Sequence, residues 1–117
     1  MSSNHFDPVD EDFYHVVREP EFTALFALGA DDRVVSVEDV DAELRLLDGT
    51  RWSASFMTLG AIGTVMSRWR ETGEYGGGAF FQCSDLVIIP RPGVAAMVEA
   101  FRAIVAEGSQ GTLGRLE

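Results

Sequence analysis

The sequence predicts an α+β domain, and two periods of hydrophobic residues along its 117 positions indicate this class. Apolar and polar residues alternate at every second position through most of residues 39–57, as they do in strands with one buried face. Apolar residues then recur every three or four positions over residues 59–69 and 94–105, as in amphipathic helices. We therefore expect an antiparallel sheet of three to five strands with two helices packed on one face, in the order (β)(β)ββαβα.

A β-hairpin over residues 37–59 is the strongest local signal. Its even positions carry the apolar side chains: Val40, Ala42, Leu44, Leu46, Trp52, Ala54 and Phe56. The dipeptide Asp48-Gly49 separates the two alternating runs, and Asp-Gly tolerates the positive φ angles of a type I′ turn. The sequence thus predicts two antiparallel strands joined at this dipeptide, with one apolar and one wet face.

Capping residues mark the ends of both predicted helices. Thr58 can cap the first helix at its N-terminus, and Gly73 can close it in the left-handed conformation. The second helix is expected to begin near Pro92 and to end at Gly108. We expect the apolar stripes of the two helices to cover the apolar face of the hairpin.

The remaining strands and the domain limits follow from shorter patterns. Residues 21–28 form an apolar run that favours a strand, and residues 79–89 predict a central strand buried on both faces. Residues 1–20 are acidic and interrupted by proline, so we expect some disorder there. The sequence therefore predicts one domain over residues 21–108, followed by a loose tail over residues 109–117.

The negative charge lies in one half of the chain. Residues 1–48 hold thirteen acidic residues against three arginines, whereas residues 49–117 hold six of each, so the first half accounts for the whole net charge of −10. Binding to phosphate backbones or anionic lipids requires clustered positive charge, so we expect neither a nucleic acid nor a membrane as partner. A single cysteine and the lack of a signal-peptide pattern predict a cytoplasmic protein.

Three acidic residues share one face of the predicted hairpin. Alternate side chains of a strand point the same way, which places Asp39, Asp41 and Glu43 together on the wet side. Such a row is either a solvated surface or a recognition surface for a basic protein partner. Its spacing differs from that of a calcium-binding loop, so we expect no metal there.

No arrangement of nucleophile and base stands out in the sequence. Cys83 and Ser84 are neighbours on a predicted strand and therefore point to opposite faces, and His5 and His15 lie far upstream. A buried structural cysteine is the ordinary interpretation, although folding could bring His15 close to it. We expect no catalytic residues, no metal and no cofactor, and an enzyme is not the favoured interpretation.

The glycine-rich stretch GEYGGG predicts a turn. A phosphate-binding loop places its glycines between a strand and the N-terminus of a helix, whereas here a helix precedes and a strand follows. The chain also contains no lysine. Gly76–Gly78 are therefore expected to connect two elements, with a ligand-contacting loop as the alternative.

Residues 46–89 carry a resemblance to a group of small bacterial proteins. The shared pattern is an Asp-Gly-x-Arg-Trp-x-Ala hairpin turn, a helix, Thr-Gly-Glu, a glycine-rich link and an aromatic-rich strand that ends in Asp-Leu-Val or Asp-Leu-Ile. The stretch is similar to proteins of actinobacteria and Bacillus-like bacteria. The resemblance implies a bacterial cytoplasmic protein and implies no catalytic residues.

Two functions are open from the sequence. The first is a small acidic, non-catalytic protein-binding domain of the immunity or inhibitor type, with a basic protein or a second copy of itself as partner. The alternative is a small-molecule-binding protein or minor enzyme with a pocket between sheet and helices near the glycine link. The aromatic residues expected to line that pocket are Trp52, Trp69, Tyr75 and Phe81.

Overall fold

The computed structural model describes residues 13–117 and has the predicted α+β fold. Strands β1 (His15–Arg18), β2 (Phe22–Phe26), β3 (Asp39–Leu46) and β4 (Arg51–Met57) pair in chain order, each antiparallel to the next. Helix α1 (Leu59–Thr72), strand β5 (Leu86–Ile88), helix α2 (Val94–Glu107) and strand β6 (Gly114–Leu116) follow. The described part of the chain thus has six strands, one more than the upper limit expected from the sequence.

Both ends of the described chain are paired into the sheet. β1 lies within the segment that was expected to be partly disordered, and its four residues pair with β2. The part of that expectation that falls on residues 1–12 lies outside the described residues. At the other end, residues 114–116 of the expected loose tail form β6, which is antiparallel to β4.

The hairpin β3–β4 has the predicted strands but a different turn. Leu44 faces Trp52 and Ala42 faces Ala54, as the alternating pattern requires. Gly49 has a φ of +88°. Among the described residues, Tyr75 is the one non-glycine residue with a positive φ, so Asp48 is not in the left-handed region. The expected type I′ turn is therefore wrong. The amide of Gly49 instead bonds the carbonyl of Leu46 at 3.1 Å, which indicates a type I turn followed by a left-handed glycine.

β5 differs most from the sequence-based expectation. The predicted strand over residues 79–89 is reduced to three residues that pair in parallel with β4 at an edge of the sheet. Its side chains are half-buried or exposed, so the expected central position, buried on both faces, is wrong. β6 pairs with Arg51–Ser53 and β5 with Ser55–Met57, so the two short strands share one edge of β4.

The core lies between α2 and one face of the sheet. The even-numbered side chains of β2, β3 and β4 meet the buried side of α2, which contributes Val94, Ala96, Met97, Val98 and Phe101. The ring of Phe101 lies 4.9 Å from that of Phe56 in an edge-to-face arrangement, and 6.1 and 6.2 Å from those of Phe22 and Phe26. Three buried aromatic rings of the sheet thus surround one aromatic residue of α2 and hold the helix on the sheet.

Helix α1 is formed as predicted but does not join this core. Thr58 caps its first turn by accepting a hydrogen bond from the amide of Ala61 at 3.1 Å, and Gly73 closes it with a φ of +81°. None of its residues is buried, and the core cluster includes no residue from it. The expectation that both helices cover the apolar face therefore holds for α2 and not for α1. α2 already fills that face, so the stripe of α1 has no place on it.

Candidate functional site

The sheet face opposite α2, called here the polar face, carries the odd-numbered residues of β3 and β4. Strand register places them in rows across the sheet. One row contains Asp41, Ser55 and Leu86, and the next contains Asp39, Met57 and Ile88. Because strands lie about 4.8 Å apart, residues at the two ends of such a row are about 10 Å apart. The polar face thus combines carboxylates on β3 with apolar side chains on β5.

The three predicted acidic residues lie on this face but differ in their surroundings. Glu43 is half-buried and ion-paired with Arg45 at 2.5 Å and with Arg51 at 3.4 Å. Asp41 is exposed and lies 3.0 Å from the hydroxyl of Ser55. Asp39 is exposed as well. The charge of Glu43 is therefore compensated within the chain, whereas Asp39 and Asp41 present theirs to solvent.

Asp39 also lies in a negative electrostatic environment. Although Asp39 is exposed, the protein around it partly desolvates its carboxylate, which raises its pKa, and the nearby carboxylates of Asp41 and Asp32 raise that pKa further. Arg68, on α1, acts in the opposite direction without reversing the shift. Asp32 comes from the connection between β2 and β3, so the fold adds a carboxylate to Asp39 and Asp41, two of the three predicted residues. Asp32, Asp39 and Asp41 are called the acidic patch from here on.

Asp85 ties the polar face together at the edge of β4. Its carboxylate accepts hydrogen bonds from the hydroxyls of Ser53 at 2.6 Å and Ser55 at 2.9 Å, and from the thiol of Cys83 at 3.3 Å. Its backbone carbonyl accepts a bond from the amide of Ser55 at 2.9 Å. Partial burial by itself raises the pKa of Asp85, but these side-chain hydrogen bonds outweigh burial and lower it overall. Asp85 therefore joins β5 to β4 beside the start of β6.

Cys83 has a structural contact and no histidine near it. Its half-buried thiol donates to Asp85 on the polar face. His15 lies on β1 opposite Phe26, and its ring centroid is 6.5 Å from that of Phe26, on the face covered by α2. The sheet separates the two side chains, so the Cys83–His15 pair that sequence left open does not form. His5 lies outside the described residues.

Three of the four aromatic residues proposed for a pocket come together beside α1. The ring of Trp69 lies 4.6 Å from that of Tyr75 and 5.7 Å from that of Phe81, to which it is parallel within 10°. These are contact distances between rings, so a ligand cannot lie between them. Trp52 is elsewhere, with the guanidinium of Arg115 5.1 Å from its ring centroid. The structure thus brings three rings together as a packed cluster.

The glycine stretch forms a left-handed turn against α1. Tyr75, Gly76, Gly77 and Gly78 all have positive φ angles, from +46° to +78°. A Cβ atom at Gly78 would lie 2.2 Å from the carbonyl oxygen of Met66, so this glycine packs directly on the helix backbone. The turn follows the C-terminal end of α1, where carbonyl groups and a negative dipole face outward. These residues therefore connect α1 to the following segment and pack on it, as expected.

A groove that the sequence analysis missed lies at the N-terminal end of α1. It has a volume of about 460 Å³ and is lined by Glu38, Thr58, Leu59, Gly60, Ile88, Ile89, Pro90 and Pro92. Thr58 is buried in its wall and donates a hydrogen bond from its hydroxyl to Glu38 at 2.7 Å. Leu59 and Ile88 remain 70% and 50% exposed. The sequence signal for this groove is Leu59, an apolar residue at the first position of α1. Whether Leu59 is exposed depends on how α1 packs, which its sequence alone does not show.

The described residues hold no ready site for a metal and no membrane-spanning helix. Within residues 13–117, the histidine, cysteine, aspartate and glutamate side chains form no group of three or more that could hold a metal ion. Neither helix in that range is long and apolar enough to cross a membrane.

Comparison of the chain with models of known protein families, with curated proteins and with solved structures gives no match. The resemblance of residues 46–89 to small actinobacterial and Bacillus-like proteins therefore stays a prediction.

Proposed function

We propose that this chain is a non-catalytic protein-binding domain of the immunity or inhibitor type, which binds a basic protein in the cytoplasm through its acidic patch. One observation carries the proposal. The polar face compensates Glu43 with two arginines and Asp85 with three hydrogen-bond donors. Asp39, by contrast, is exposed beside two further carboxylates, and Arg68 offsets their effect on its pKa only in part.

A raised pKa for Asp39 means that its charged form is disfavoured in the folded protein. The patch therefore costs folding stability at neutral pH, and perturbed carboxylates of this kind mark candidate functional surfaces. A basic partner would relieve the mutual repulsion of Asp32, Asp39 and Asp41. Complementary charge would also accelerate association and discourage acidic competitors.

The patch can be tested with two triple variants of equal net charge. Asp32→Asn/Asp39→Asn/Asp41→Asn removes the patch but keeps an oxygen at Asp32 for the amide of Gly29 and one at Asp41 for Ser55. The control Glu71→Gln/Glu74→Gln/Glu107→Gln neutralises three exposed carboxylates in the charge-balanced half. Tagged wild type and both variants are used to capture proteins from the native cytoplasm at low salt, with stepped-salt elution and mass spectrometry.

We expect one basic protein to be captured by wild type and control but not by the patch variant. With that protein purified, the association rate should fall by about 10-fold or more in the patch variant at low salt, and the wild-type rate should fall as salt rises. Equal capture by both triple variants would contradict the proposal. Capture of untagged copies of the chain itself would identify the homodimer as the relevant assembly instead.

A further inference from the structure

We propose that the groove at the start of α1 receives a large apolar side chain of the same basic partner, and that arginine or lysine residues two or three positions away contact the acidic patch. This inference rests on the proposed function and specifies the partner: a segment with an apolar anchor flanked by positive charge. The sequence of such a segment would differ from that of a uniformly basic one.

The shape and lining of the groove fit an apolar anchor. Its volume of about 460 Å³ lies within the range of specific binding pockets. Leu59, Ile88, Pro90 and Pro92 present apolar surface along it, and binding pockets are lined mainly by apolar side chains. An incoming leucine or phenylalanine side chain would bury this surface.

Charges of both signs lie beside the groove, so that neither a cation nor an anion meets a uniformly favourable charge there. Gly60 belongs to the first turn of α1, where the helix dipole is positive and disfavours a cation. An anion is disfavoured as well, because the carboxylate of Glu38 already lies in the wall and is hydrogen-bonded to Thr58. A neutral apolar side chain avoids both penalties.

Distance links the groove to the acidic patch. Asp39, Met57 and Ile88 stand in one row on the polar face, so Asp39 and Ile88 are separated by two strand spacings, about 10 Å. An extended chain advances about 3.3 Å per residue, so two or three residues cover this distance. One short segment of the partner can therefore reach both features at once.

Two synthetic peptides test the inference: Gly-Arg-Arg-Ser-Leu-Ser-Arg-Arg-Gly, and the same peptide with serine in place of leucine. Each is titrated into the ¹⁵N-labelled full chain at low salt, and amide shifts are followed by NMR. We expect both peptides to shift amides of the acidic patch, but only the leucine peptide to shift those of Leu59, Gly60 and Ile88. The leucine peptide should bind about 10-fold more tightly.

Leu59→Ser should abolish the difference in affinity between the peptides. Leu47→Ser is the matched control, because Leu47 is also 70% exposed and lies in the hairpin turn, roughly 20 Å away along β4. Equal affinity of both peptides, with shifts confined to the acidic patch, would overturn the groove inference and leave the proposed function standing. Absence of shifts at the acidic patch with either peptide would contradict both.

Discussion

Gly78 is the residue at which the connection after α1 depends most strongly on the absence of a side chain. It has a φ of +78°, and a Cβ there would lie 2.2 Å from the carbonyl oxygen of Met66. That oxygen belongs to the helix backbone and cannot move aside without breaking a turn of α1. We expect Gly78→Ala to lower the free energy of unfolding both by backbone strain and by this clash, as measured by urea denaturation.

Gly77 provides the matched control for this prediction. Its φ of +67° is similar, but nothing lies within 4 Å of a Cβ built there. Gly77→Ala should therefore cost only the left-handed strain, about 1–2 kcal/mol, and Gly78→Ala about 1–3 kcal/mol more. Equal losses in the two variants would show that the turn can move away from α1. The sequence predicted a turn here, but not which glycine contacts the helix.

Asp85 connects secondary-structure elements, because β5 and β6 share one edge of β4 and this carboxylate lies between them. Replacing it with asparagine keeps the shape but removes the charge that accepts bonds from Ser53, Ser55 and Cys83. We expect Asp85→Asn to lower the free energy of unfolding by about 1–2 kcal/mol at pH 7. Urea titrations at a series of pH values measure this difference.

The pH dependence of that difference has a defined sign. The folded pKa of Asp85 is lowered, so its contribution is complete above about pH 4, the ordinary aspartate pKa, and is lost as pH falls through the lower folded value. The contribution of Asp39 to stability should have the opposite pH dependence, because the pKa of Asp39 is raised. Asp39→Asn should stabilise the protein at pH 7, and this gain should vanish as Asp39 becomes protonated at low pH. Parallel curves for the two variants would contradict at least one of the two assignments.

The elements that the sequence predicted correctly are those fixed by local interactions. Alternation on both sides of Asp48-Gly49 sets the hairpin, and Thr58 and Gly73 cap α1 with their own backbone neighbours. The predicted length of β5 was wrong because that length depends on how much of the β4 edge remains once β6 has paired there. Periodicity identified the apolar stripe of α1 but not the surface on which it packs, because α2 covers the apolar face of the sheet.

At the scale of the whole molecule, the candidate site required the fold even though its charge was visible in the sequence. Composition places the excess negative charge in residues 1–48, and strand alternation places Asp39 and Asp41 together. Asp32 joins them only because the connection from β2 returns to the start of β3. Glu43 is not part of the acidic patch, because Arg45 and Arg51 form ion pairs with it. Pairing across strands thus decides which carboxylates are compensated within the chain.

The molecule is also asymmetric in stability, because its two helices are alike in length and in their C-terminal glycine but not in burial. Each has 14 residues and ends at a left-handed glycine, yet α2 buries five residues and α1 none. Local unfolding follows buried contacts, so α1 should open without the sheet, whereas α2 should open only with it. Native-state hydrogen exchange should show amides of α1 opening at free energies at least about 2 kcal/mol below those of α2. Equal protection would instead mean that α1 unfolds with the core, and the groove beside Leu59 would then be as rigid as the sheet.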